Sequence, residues 1–305
     1  MVLSLLLVAV GVVLLARAAD EFVEGAVRLA RHFDVSKVVI GAVIVGFGTS
    51  APEMLVSSFA AVRGRVDVGV GNVIGSNIAN LTLVLGAAAL FAPVAVGRPT
   101  LRREGPMSVL AVLAFGWAVQ GGVTAVEGVL LMVGLGVALF ISIVGARHGV
   151  ELDERTYSVP LEATRTVVGL LVTVLGAQLL IEGALDLADR AGIAEGFVGL
   201  TLVAVGTSLP EMVTSVIAAR RGETGLIIGN LLGSNIFNSF AVGGLLGLLG
   251  PGNLTDPSMA GTPVVLMVGV ALGVFALLSA GGRVQRREGL VLLAVFAAAI
   301  PLLPR

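Results

Sequence analysis

The 305-residue chain has no cysteine, a single tryptophan and a single tyrosine, and only 13% of its residues are charged. Without cysteine there can be no disulfide framework and no thiol chemistry. A soluble domain would carry about twice this charge fraction. With a net charge of −1, nothing suggests nucleic acid or a charged surface partner. The chain also lacks the short alternating segments of a membrane barrel. It has no HExxH box and no nucleophile–base–orienter cluster, so an enzyme is the weakest reading. Nothing calls for a cofactor or a protein partner. What is abundant is apolar: 56% of residues, in runs of around 20 that recur along the chain. Each run can cross the ~30 Å of a bilayer's hydrocarbon. The composition predicts an all-α polytopic membrane protein in contact with lipid.

The first run, "MVLSLLLVAVGVVLLARAAD", resembles a secretory signal, but no Lys or Arg precedes its apolar stretch. It also has a counterpart 158 residues later, "FVEGAVRLA" at 22–30 against "LIEGALDLA" at 180–188. Half of an internal repeat is structure, so a retained first helix is expected. The same offset aligns 41–80 with 199–238 without a gap, with 20 of 40 positions identical, among them the polar Thr49, Ser50, Glu53, Asn72, Ser76, Asn77 and Asn80. The chain therefore divides into a first repeat, 1–145, a short polar linker, 146–162, and a second repeat, 163–305.

Hydropathy gives five spans per repeat, near 2–30, 37–62, 67–91, 105–120 and 124–145, then 163–190, 196–219, 225–250, 260–280 and 287–304. Five is odd, so the second repeat enters from the opposite face. Ten transmembrane helices as two inverted five-helix repeats suit a midplane ion site. Leaving out Arg17, 14 basic residues fall on one set of connections and 4 on the other. By the positive-inside rule the linker is cytoplasmic and both termini are extracytoplasmic, in the cell membrane. His32, His148, Trp117 and Tyr157 read as interface residues.

The chemistry lies in "GTSAPE", Gly48 to Glu53, and its copy "GTSLPE", Gly206 to Glu211. Pro52 removes a backbone donor and clashes with the carbonyl four residues back. The carbonyls from Gly46 to Thr49 then need partners at a depth where irregular backbone survives only inside protein or beside a watery cavity. A mid-membrane carboxylate costs about 2.5–3.5 kcal/mol, and the chain carries it twice. Thr49 and Ser50 stand four and three residues before Glu53, which puts all three on one face of a continuous helix. Such hard oxygens favour Ca2+ or Na+. In "GNVIGSNIANL" Ser76 and Asn80 share a face, as do Ser234 and Asn238. Gly71 with Gly75, and Gly229 with Gly233, would let backbones approach closely. No Lys or Arg lies at the same depth to neutralise the glutamates. A cation from solution is the expected counter-charge.

"GTSAPE…GNVIGSNIAN" and "GTSLPE…GNLLGSNIFN" resemble the two alpha repeats of the Ca2+/cation antiporter superfamily, specifically the Na+/Ca2+ exchangers of the prokaryotic ten-helix type without a regulatory domain. The resemblance implies an ion site among the second, third, seventh and eighth spans, with the first and sixth sliding past that core. It implies Glu53 and Glu211 as central carboxylates. Thr49, Ser50, Thr207 and Ser208 would add hydroxyl or carbonyl oxygens, as would the carbonyls of Gly46 and Ala204. Ser76, Asn80, Ser234 and Asn238 complete the set. Several relatives, K+-dependent exchangers among them, have aspartate where this chain has Asn238. Only two carboxylates then face the site. One Ca2+ or two Na+ would neutralise them, and a third Na+ would leave it positive.

The leading expectation is secondary active antiport of Ca2+ against Na+ by alternating access. A Ca2+/H+ antiporter of the same superfamily is the first alternative, since Glu53 and Glu211 could bind protons in the ion-free state. Its "GNxxE" box is missing, because Asn72 and Asn230 precede "VIGS" and "LLGS". A cation channel is disfavoured by the paired carboxylates and the inverted repeat.

Overall fold

Apolar residues on all sides and few charges leave the chain only one way to satisfy its backbone in lipid, which is helix after helix. The computed structural model describes residues 1–33, 35–145, 158–190, 204–254 and 256–302. Most of the linker, with Arg147, His148, Arg155 and Tyr157, lies outside them, as do Arg305 and the start of the seventh span.

The first repeat contains α1 (Val2–His32), a broken span of α2 (Lys37–Thr49) and α3 (Ala51–Val62), and α4 (Val66–Phe91). A two-residue strand β1 (Val94–Ala95) follows, then α5 (Arg98–Arg102), α6 (Glu104–Ala118) and α7 (Ala125–Val144). The second repeat contains α8 (Val159–Arg190), α9 (Ala204–Thr207), α10 (Leu209–Arg220) and α11 (Thr224–Leu249). It ends with α12 (Thr262–Gly281), β2 (Arg283–Val284) and α13 (Arg286–Ala299). The sixth span starts four residues before the expected 163, with Pro160 in its first turn, where a missing N–H costs nothing.

The spans sort into an inner and an outer set. In α4 and α11, 83% and 89% of the most apolar window is buried, against 22–28% in α1, α7, α8 and Pro257–Gly281. α4 and α11 are therefore the centre of the molecule, and the outer helices meet lipid. Leu3, Val133, Phe140 and Val265 are among their exposed apolar residues. α1 and α8 pack along each other for most of their length. At one face β1 pairs antiparallel with β2, Val94 opposite Val284. At the other, Val123 bridges to Gly252 and the Asp256 N–H donates to Asp67 Oδ2 at 3.0 Å.

The expected small-residue contact exists, but it joins the two repeats. A Cβ on Gly229 would stand 2.1 Å from the Val38 carbonyl oxygen, and one on Gly233 would stand 2.3 Å from that of Ala42. α11 is thus seated backbone-to-backbone on α2 of the opposite repeat. Gly71, by contrast, meets only the tip of Met259, at 3.0 Å. Gly233→Ala should lower the thermal midpoint in detergent, at a cost of about 1–3 kcal/mol from overpacking against rigid backbone. Gly269→Ala, which opens onto empty space, should leave the midpoint unchanged.

Candidate ion-binding site

Each "GTSxPE" box folds as a break rather than a kinked helix. α2 ends at Thr49 and α3 begins at Ala51, with a 44° bend between them and Ser50 at φ −82°, ψ 4°. Pro52 falls in the first turn of α3, where its missing donor is harmless. The second box repeats this: Ser208 has φ −86°, ψ 6°, and Pro210 sits in the first turn of α10. Each glutamate consequently lies in the first turn of a new helix, near the positive end of its dipole.

The break changes which groups meet. The Ser50 hydroxyl donates to Glu211 Oε1 at 3.3 Å, and Ser208 donates to Glu53 Oε1 at 3.5 Å. Thr49 does not join this exchange: its hydroxyl lies 2.9 Å from the Val45 carbonyl oxygen and 3.1 Å from Asn230 Oδ1, while Thr207 is buried at the matching position. The expectation that Thr49, Ser50 and Glu53 share one face is therefore corrected: it needs a continuous helix, and the chain turns at Ser50. The neighbouring helices behave as expected. Ser76 donates to Glu53 Oε1 at 3.4 Å, and Ser234 to Glu211 Oε1 at 3.3 Å. Each carboxylate is framed by a serine of its own repeat and by the box of the other.

All of this is shut away from solvent. Glu53 is 1% exposed and Glu211 0%. Among the described residues neither has a basic partner, and Oε2 of each has no hydrogen bond. Asn80 donates to Asn235 Oδ1 at 3.2 Å and leaves its own Oδ1 unpartnered. Asn238 is fully buried with neither amide atom bonded. Both residues lie in π-helical turns, Asn80–Val84 and Phe237–Val242, which turn side chains out of the ordinary helical register. The Gly46 carbonyl accepts from the Ser50 N–H at 3.1 Å, which leaves it one lone pair. Ala204 opens α9, and its side chain is outside the described residues.

A second layer was not anticipated. Asn72 donates to the backbone carbonyl of Glu53 at 3.3 Å and to Ser57 Oγ at 3.0 Å. Asn230 donates to Ser215 Oγ at 3.3 Å and accepts from Thr49 Oγ1 at 3.1 Å. Asn77 donates to Ser239 Oγ at 2.9 Å. The signal was present, because Asn72 and Asn77 recur as Asn230 and Asn235, but identity in a repeat does not separate a brace from a ligand.

The profile of the family described as "Sodium/calcium exchanger protein" matches residues 3–144 and 163–303. The chain belongs to that family.

 The exchanger is 30% identical over 341 residues to sodium/calcium exchanger MaX1 of Methanosarcina acetivorans, which covers 97% of each chain. It is 35% identical over 292 residues to inner membrane protein YrbG of Escherichia coli, covering 91% of this chain and 89% of that one. Among solved structures, the sodium-calcium exchanger NCX_Mj soaked with 10 mM Na+ and zero Ca2+ superposes with a TM-score of 0.89 at 30% identity, over 99% of both chains. The ten-helix, inverted-repeat architecture of a multi-pass membrane antiporter is therefore that of this chain.

The crossed framing is open to a double-mutant cycle, which reads coupling between groups in contact. Ser208→Ala and Glu53→Gln should be non-additive in thermal midpoint, and Ser50→Ala with Glu53→Gln additive. Coupling of Ser50 to Glu53 instead would mean that the boxes do not cross.

Proposed function

We propose that Glu53 and Glu211 are the central ligands through which this exchanger carries Ca2+ against Na+, and that the crossed hydroxyls around them complete the site. The observation that carries this reading is a pair of fully buried carboxylates, each with an unpartnered oxygen and neither with a basic neighbour among the described residues. Two such charges in a membrane core need a cation, and carboxylate, hydroxyl and amide oxygens suit hard ions. Asn80 and Asn238 support the same reading, because each keeps an unbonded carbonyl oxygen in a fully buried position. One Ca2+ or two Na+ balance the pair, so either load lets the site cross the low-dielectric core as a neutral unit. An empty site would carry two uncompensated charges, which favours exchange over uniport.

Alternating access follows from the inverted repeat: the same site is reached from each face in turn, by equivalent movements of the two halves. For its setting, the reading is the cell membrane with both termini extracytoplasmic and the linker cytoplasmic. The 14-to-4 split of basic residues supports it. So does the meeting at one face of residues from connections assigned to the same side: Lys37 with Glu223, and Arg286 with the Leu90 carbonyl. The division into repeats at 1–145 and 163–305, with a linker at 146–162, belongs to the same proposal.

The test is radiolabelled Ca2+ uptake into proteoliposomes with and without an opposing Na+ gradient at fixed pH. Uptake should need the Na+ gradient. Uptake driven by a proton gradient alone would replace Na+ coupling with proton coupling. Glu53→Gln and Glu211→Gln should each abolish uptake while raising the thermal midpoint of the ion-free protein, because a buried charge disappears. Near wild-type uptake by either variant would remove that glutamate from the site. Asn238→Asp should change the dependence of uptake on Na+, K+ or acid, since it adds a third carboxylate. If all three are unchanged, Asn238 does not face the ions.

A further inference from the structure

The inverted repeat allows each contact to be compared with its counterpart, since residue i corresponds to residue i + 158. Within the α1–α8 pair the comparison holds. Arg28 of α1 donates to Glu162 of α8 at 2.9 Å, and the corresponding residues, Asp186 and Ser4, hydrogen-bond at the opposite end. Between this pair and the core it fails. Arg221, just past α10, clamps α1 through Asp20 at 2.6 Å and Glu24 at 3.3 Å. The corresponding residues are Arg63, just past α3, with Gln178 and Glu182 of α8. Arg63 and Glu182 are exposed and, among the described residues, make no ion pair. The helices show the same asymmetry: α1 packs on α10, whereas contact of α8 with α3 is sparse.

The positive-inside rule does not account for Arg63, because it lies on the face with only 4 basic residues. Its charge complements that of Glu182 across a gap that the repeat symmetry would close. We propose that Arg221–Glu24 and Arg63–Glu182 are alternating latches, positioning residues that hold the α1–α8 pair against the core at one face and then the other. Close backbone contacts make α1 and α8 one body: a Cβ on Gly169 would stand 2.8 Å from the Phe22 nitrogen. Seating one end of that body lifts the other. The latches are unequal, because Asp20 gives Arg221 a second carboxylate and Gln178 gives Arg63 none. The face bearing Arg221 is the one closed in this structure.

The absence of cysteine makes the test direct. On oxidation, Arg63→Cys/Glu182→Cys should form a disulfide that stops Ca2+ exchange until it is reduced. Arg63→Glu and Glu182→Arg should each slow exchange about fivefold, as far as one partly exposed ion pair can shift a population, and the double reversal should restore it. Because these residues do not touch in this structure, rescue would report a contact made elsewhere in the cycle. No disulfide, a disulfide without effect on exchange, or reversals that add without rescue would each overturn the proposal. It rests on alternating access. The disulfide is read on a gel without any transported ion, so its failure is separable from failure of the ion assignment.

Discussion

Two carboxylates sealed from water inside one membrane core set the terms for everything around them. Each costs about 2.5–3.5 kcal/mol at that depth, against a total stability of about 5–15 kcal/mol for an ordinary domain. Four serine hydroxyls and two helix N-termini reduce the cost without removing the charge. A basic side chain would neutralise it permanently and leave nothing for a mobile cation to do. Among the described residues the pair stands without a basic partner, as the proposed cation site requires.

That demand explains the backbone. A continuous span would bury its N–H groups in its own hydrogen bonds, whereas a break at Ser50 or Ser208 starts a new helix whose first turn carries the glutamate. A break inside a membrane needs a rigid neighbour. α11 provides it by lying on α2 at Gly229 and Gly233 with no side chain between them. The asparagines at 72 and 230 then tie the broken segments to the next helix, and the π-helical turns carry Asn80 and Asn238 to the same depth.

Much of this was legible in the sequence. The repeat, the inversion and the span positions follow from counting; Ser76 does meet Glu53, but not through the expected close approach at Gly71, which meets only the tip of Met259. The crossing of the boxes was not legible, because the three- and four-residue rule assumes a helix that does not stop. Nor could the sequence say that Gly229 and Gly233 face the opposite repeat while Gly71 faces Met259. Small residues announce a close contact without naming the partner. The asparagines divide in the same way, some bracing and some unbonded, and only coordinates separate the two groups.

Crossed framing has a consequence for the halves themselves. A single five-helix unit holds a glutamate and one serine to frame it, but the hydroxyls that finish the shell belong to a unit of opposite orientation. Neither half has a complete site to keep for itself. Two copies lying antiparallel would share two equivalent shells, and joining them end to end makes that partnership permanent. Damage to one box therefore falls on the carboxylate of the other, and duplication has given this protein interdependence rather than a spare.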